Sequence, residues 1–223
     1  MSEPTENTDE HRRFARRHDP TRVMALSDGV FAIVITLLVL EVHVPDLSGG
    51  RRLADALEEI RPSFVAFLIS FLVIAIAWTG HRDLFSFIRL TDRNLVWLNL
   101  LYMLPLSLLP FGAALIARHP EEAVALRIYG LLLVAIALTR LLVWLYATNR
   151  PHLLFDPIDR PSRRLGVLLA ALPAALYVVA ILIAERLPTA SLWIYAGAPI
   201  LYFMSLFISR SQAPPGAAER DFT

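Results

Sequence analysis

The chain has 223 residues, 56% of them apolar, 18% charged, with a formal net charge of +1. Soluble domains of this size hold about 45–50% apolar residues, so the excess points to a bilayer, and the near-neutral balance offers nucleic acid no basic footprint. With no cysteine, disulfides, thiolate metal sites and cysteine nucleophiles are excluded.

Residues 1–21 are polar and arginine-rich, with no apolar core or small-residue cleavage site. They are expected to be a cytoplasmic tail rather than a signal peptide. Six apolar segments follow, each near the ~20 residues that cross ~30 Å of hydrocarbon. The first runs from about Val23 to Val44 and is interrupted by Ser27, Asp28 and Glu41. The linker from Pro45 to Arg61 holds Leu53, Leu57 and Ile60 at helical spacing, which predicts a short interfacial helix. The second segment spans Pro62 to Gly80 and the third Asn94 to Ala117, with Pro105 and Pro110 expected to kink it. The fourth, Glu122 to Asn149, contains Arg140; the fifth spans Leu165 to Ala184 and the sixth Leu187 to Ser209. The tail 211–223, with Pro214-Pro215-Gly216, reads as disordered. Nothing alternates with period 2, and hydrocarbon admits only helices or closed barrels. The expected fold is therefore all-α: a six-helix transmembrane domain over 22–210.

Charge sets the expected orientation. With the N-terminus inside, fourteen arginines fall on the cytoplasmic side and six outside, Arg140 remaining within the fourth span. The positive-inside rule then puts both termini in the cytoplasm. Arg140 reads either as snorkelling toward that side or as a bundle residue.

The first span is the most informative. Asp28 and Glu41 are 13 residues apart, a rise of ~20 Å, so both acids do not clear the hydrocarbon unless protein, water or a thinner bilayer accommodates them. An acid at that depth normally has a partner; the bland alternative is an Asp28 that caps or anchors the helix at headgroup depth. Between the acids runs a stripe of Ile33, Thr36, Leu37, Leu40 and Val44 at i, i+3, i+4, i+7 and i+11. By spacing alone such a stripe is core, lipid contact or, if copies surround an axis, a set of apolar rings able to gate by dewetting. Asn99 in the third span reads as an inter-helix hydrogen-bonding residue.

Three stretches carry a resemblance: Arg22 with Ser27-Asp28 and the continuation Gly29 to Glu41; Trp78-Thr-Gly-His81-Arg82-Asp-Leu-Phe85; and Asn94 to Phe111 with Trp97 and Asn99. Together they resemble the transmembrane protein 175 family of potassium channels. Leu26 stands where that family has phenylalanine, and Gly80 where it has the first of two histidines. The resemblance implies a potassium-selective channel, homotetrameric for a chain with one six-helix unit, in the cell membrane, specifically a bacterial inner membrane. By position it puts Ile33 in the narrow ring with Thr36 and Leu40 further along; Leu37 joins them by spacing. It further implies a structural polar network of Arg22, Ser27, Asp28, Trp78 and His81, to which Asn99 is added. Potassium is the permeant ion; no cofactor, metal or catalytic residue is expected, and no threonine-valine-glycine-tyrosine-glycine filter occurs. A cation- or proton-coupled carrier and a non-transporting membrane scaffold are the alternatives; no internal repeat supports the former.

Overall fold

The computed structural model describes residues 19–45, 47 and 52–211, with residues 201–211 given by their backbone. Of the expected tails, 1–21 and 211–223, residues 1–18 and 212–223 lie outside the described residues, whereas Thr21 and Ser211 belong to helices. Among those described, the fold is all-α. Helices α1 (Thr21–Val39), α2 (Leu53–Glu59), α3 (Arg61–Ser86), α4 (Arg93–Ser107), α5 (Leu109–Arg118), α6 (Ala123–Thr148), α7 (Arg160–Ile183) and α8 (Pro188–Ser211) follow one another, with a 3-10 turn at Pro151–Leu153. Among the described residues, five units are long and apolar enough to cross a membrane: α1, α3, α4 with α5, α6 and α7. Helix α8 coincides with the sixth apolar segment.

Local chemistry explains the boundaries. Thr21 donates its backbone N–H and its hydroxyl to Asp19 Oδ1, at 2.9 and 2.6 Å, which starts α1. These two bonds, the hydroxyl's first, hold the Asp19 carboxyl below its usual range. Helix α1 stops at Val39, five residues before the apolar segment ends, so Glu41 leaves the helix and lies 3.7 Å from the Arg118 guanidinium. The expected short helix appears as α2, with Ala56 buried, Leu53 and Leu57 exposed, and Ile60 just past its end. Helix α3 runs to Ser86, six residues past Gly80, because a lone glycine weakens a helix without ending it. Trp78, Gly80 and His81 therefore lie on the helix, not beyond it.

The third span is two helices joined at Leu108. Pro110 has no N–H, and its ring opposes the carbonyl four residues back, on Leu106. The break comes two residues ahead of it, at Leu108, while Pro105 stays inside α4. Helix α7 begins five residues before its apolar segment, at Arg160, because Asp159 accepts the Ser162 N–H at its N-terminus (3.4 Å) and Pro161 occupies the first turn.

Helix α1 packs against α3, α4 and α5; α6 makes the most extensive pairing, with α7, while α8 lies against α7 and α3. The buried core includes Phe31, Leu38, Ile74, Leu95, Leu106, Tyr129 and Tyr195. Outside it, Trp97 (61% exposed), Leu168 (65%) and Trp193 (73%) point away from the protein. Lipid covers such side chains at no cost, whereas water would not. This is a multi-pass membrane protein. Among the described residues, no buried side-chain nitrogen or oxygen lacks a partner, as a low-dielectric interior requires.

Charged contacts collect at the two ends of the bundle. One end holds Glu41 with Arg118, and Arg127 with Glu185 at 2.6 Å. At the other, Tyr146 donates to Asp92 (2.6 Å), Arg150 lies 3.7 Å above the Tyr146 ring, and Arg89 donates its N–H to the Leu153 carbonyl (2.8 Å).

Tyr195 donates to the Leu126 carbonyl at 2.9 Å, with its ring 5.4 Å from that of Tyr129, which shares a hydrogen bond with Ser70 (2.9 Å). A Cβ on Gly130 would collide with the Tyr195 hydroxyl and with Ile181. Gly130→Ala is expected to lower stability by about 1–3 kcal/mol, the usual cost of overpacking. Thermal unfolding in detergent measures it; an unchanged midpoint would show that α6 and α8 separate at no cost.

Candidate functional site

Helix α1 has two faces. Ser27, Phe31, Val34 and Leu38, at i, i+4, i+7 and i+11, are buried against the rest of the protomer. On roughly the other side lie Ile33 (59% exposed), Leu37 (41%) and Leu40 (65%), with Thr36 also exposed. All four expected pore residues thus share the surface that this protomer leaves uncovered. Nothing stands within 4 Å of where a Gly29 Cβ would be, so the open face extends toward the helix start. The Thr36 hydroxyl donates back to the carbonyls of Ile33 and Ala32, at 2.9 and 3.1 Å. Its oxygen keeps acceptor capacity on the exposed side.

The buried face is held by a directed chain of hydrogen bonds. Ser27 Oγ donates to the Val23 carbonyl (2.9 Å), and Asn99 Nδ2 donates to Ser27 Oγ (2.9 Å). That leaves Asn99 Oδ1 to accept from His81 Nε2, at 2.8 Å. The assignment follows from the chain itself: an amide that gives its nitrogen to a hydroxyl turns its oxygen to the imidazole. Ser27, His81 and Asn99 are all buried. Three helices, α1, α3 and α4, are locked in rotation about one another by these bonds.

Asp28 is tied separately. It accepts the Trp78 indole N–H at 2.9 Å, and the Arg82 guanidinium lies 5.9 Å above the indole ring. A cation near the ring attracts its π electrons, which favours donation from the indole N–H toward the carboxylate. The capping alternative for Asp28 does not describe this contact, because its partner lies 50 residues away on α3. Arg22 is exposed, and the structure does not bring it to either group. One turn is ~3.6 residues, so Arg22, 11 residues before Ile33, falls on the open face and not beside Ser27.

Sequence reasoning missed the aromatic enclosure of His81. Phe85 stacks on the imidazole at 4.3 Å between centroids, with Phe31 at 5.6 Å and Tyr102 at 6.0 Å. Phe31 was detectable as the i+4 neighbour of Ser27 on the buried face; Tyr102 was not. The second miss is Gly80. A Cβ there would stand 2.5 Å from Arg140 Nη2, so the missing side chain is the space the guanidinium fills. No group of three metal-ligating side chains occurs among the described residues.

Comparison with known proteins gives this geometry a family. The model of the endosomal/lysosomal potassium channel TMEM175 matches residues 22–110, the stretch from α1 into α5 that builds both hydrogen-bonded groups. A potassium channel of Streptomyces collinus is 43% identical over 148 residues, covering 64% of this chain and 71% of that protein. The crystal structure of a lysosomal potassium-selective channel TMEM175 homolog from Chamaesiphon minutus superposes with a TM-score of 0.74 at 31% identity, over 86% of this chain and 98% of that one. The human endosomal/lysosomal proton channel TMEM175 is 28% identical over 168 residues, 33% of its length. The family is one of channels, not enzymes, and with its signature segments and its fold both accounted for, this chain belongs to the TMEM175 family.

Proposed function

We propose that four copies of this chain surround one axis, with the open face of α1 lining a potassium-selective pathway through the cell membrane. The observation that carries this reading is the division of α1. One face is fixed by buried hydrogen bonds to α3 and α4, while the opposite face is apolar and uncovered. Rings from Ile33 to Leu40 would then span about 10 Å of the axis at ~1.5 Å per residue. An apolar constriction obstructs hydrated ions by dewetting, and Thr36 is the hydroxyl on that face that replaces part of an ion's water. Asp28 and Trp78 anchor one end of the helix. Both termini lie in the cytoplasm, α8 is the sixth span, and the membrane is the bacterial inner membrane. Potassium is the permeant ion and no cofactor takes part.

Reversal potentials of purified protein in planar bilayers, under opposed potassium and sodium gradients, test the proposal. The expected potential follows the potassium gradient. Saturable flux without unitary currents would make the chain a carrier, and silence in both assays a scaffold; either result overturns the channel. The human relative's name raises a second reading, proton conduction, in which a transmembrane pH gradient sets the reversal potential.

A further inference from the structure

Arg140 remains outside the pathway just described, yet it sits in the wall of the cleft between α3, α6 and α7. The cleft has a volume of about 460 Å³ and is lined by Asp83, Arg140, Trp144 and Ser162 beside the apolar Leu165 and Leu169. A second, smaller cavity of about 60 Å³ continues from it, sharing Arg140, Leu169 and Ala170. That inner part is apolar apart from Arg140 and Tyr177, its other walls including Val73, Ile136 and Pro173. The larger cavity is a chamber that sets Asp83, Arg140 and Ser162 among mostly apolar walls, the smaller is an almost wholly apolar slot, and Arg140 lines both.

Its surroundings favour an anion. Trp144 donates its indole N–H to the Arg163 carbonyl at 3.3 Å, which brings the chamber beside the first turns of α7. Arg160, Arg163 and Arg164 line a separate groove on the other side of those turns, together with Val167 and Leu168. Small residues make the chamber possible: a Cβ on Gly80 would meet the Arg140 guanidinium, and one on Gly166 would meet the Trp144 indole. Asp83 shares the chamber, but a guanidinium presents five donors and serves more than one acceptor.

The geometry points to a binding site for an anionic phospholipid, its phosphate on Arg140 and part of an acyl chain in the apolar slot. Arg140 is the cation of the chamber, and Arg160, Arg163 and Arg164, in the groove across the first turns of α7, add a longer-range positive field, so the site discriminates by headgroup charge. A free phosphate offers the same charge without a chain for the slot.

Trp144 reports occupancy directly. The full-length protein is reconstituted in vesicles of phosphatidylcholine and phosphatidylglycerol, with bromine on the acyl chains of one lipid at a time. The quenching lost on Trp144→Phe isolates the cleft. Brominated phosphatidylglycerol is expected to bind there about fivefold more strongly than brominated phosphatidylcholine, the effect of roughly one arginine on an anionic headgroup. Arg140→Leu is expected to remove that preference and Arg140→Lys to keep most of it. Equal quenching by both lipids in the wild type overturns the site even if Arg140→Leu does not assemble. So does a preference that survives Arg140→Leu. Relief of the phosphatidylglycerol quenching by inorganic phosphate would assign the chamber to a soluble anion and overturn the lipid.

Discussion

Ile33→Asn is expected to raise unitary conductance severalfold and to draw the potassium-to-sodium permeability ratio toward unity. Ile33 is the apolar residue nearest the middle of the open face of α1 and is 59% exposed in the protomer. If it rings the axis, the barrier to an ion there is the loss of hydration in a narrow apolar collar. An amide from each copy supplies donors and acceptors at that collar, and lowering the barrier by ~1.4 kcal/mol raises a rate about tenfold. Selectivity falls for the same reason, because sodium, the more strongly hydrated ion, gains most from the added polar groups. The fold tolerates the exchange, since Ile33 makes no part of the buried face. Single-channel recording in mixed gradients measures both effects. Unchanged conductance and ratio would remove Ile33 from the ion path.

The second large effect belongs to Asn99→Leu. Leucine is close to asparagine in size, so the loss is one of hydrogen bonds more than of packing. It strips Ser27 Oγ of its donor and His81 Nε2 of its acceptor, both inside the bundle. Each stranded buried group costs about 1–3 kcal/mol, and an expected loss of about 2–5 kcal/mol follows in detergent unfolding. Adding His81→Phe should restore part of it. Phenylalanine needs no acceptor and suits the enclosure of Phe31, Phe85 and Tyr102, so the pair should be non-additive. Strict additivity would show that the His81–Asn99 contact carries no coupling.

The sequence by itself determined the class, the approximate spans and the chemistry of α1. Long uncharged stretches have only one solution in hydrocarbon, and a serine and an aspartate inside an apolar span demand partners. Asn99 was legible as an inter-helix hydrogen-bonding residue because polar residues within spans are few, whereas His81 came from the family resemblance and was expected on Asp28, not on Asn99. The spacing of Ile33, Thr36, Leu37 and Leu40 likewise required that they share a face.

Which face that would be was left to tertiary packing. Periodicity gives the angle between residues on one helix but not the direction of its neighbours, so the exposure of the Ile33 stripe followed only once Ser27, Phe31, Val34 and Leu38 were buried. The same limit explains Arg22, which shares α1 with Ser27 but is exposed where Ser27 is buried. It explains Asp28, whose partner among several possible donors was fixed by where α3 set Trp78. Gly80 and Arg140 are the clearest instance. Sixty residues separate them, nothing local links a missing side chain to a distant guanidinium, and only the reach of the Arg140 side chain from α6 to α3 makes one the space for the other.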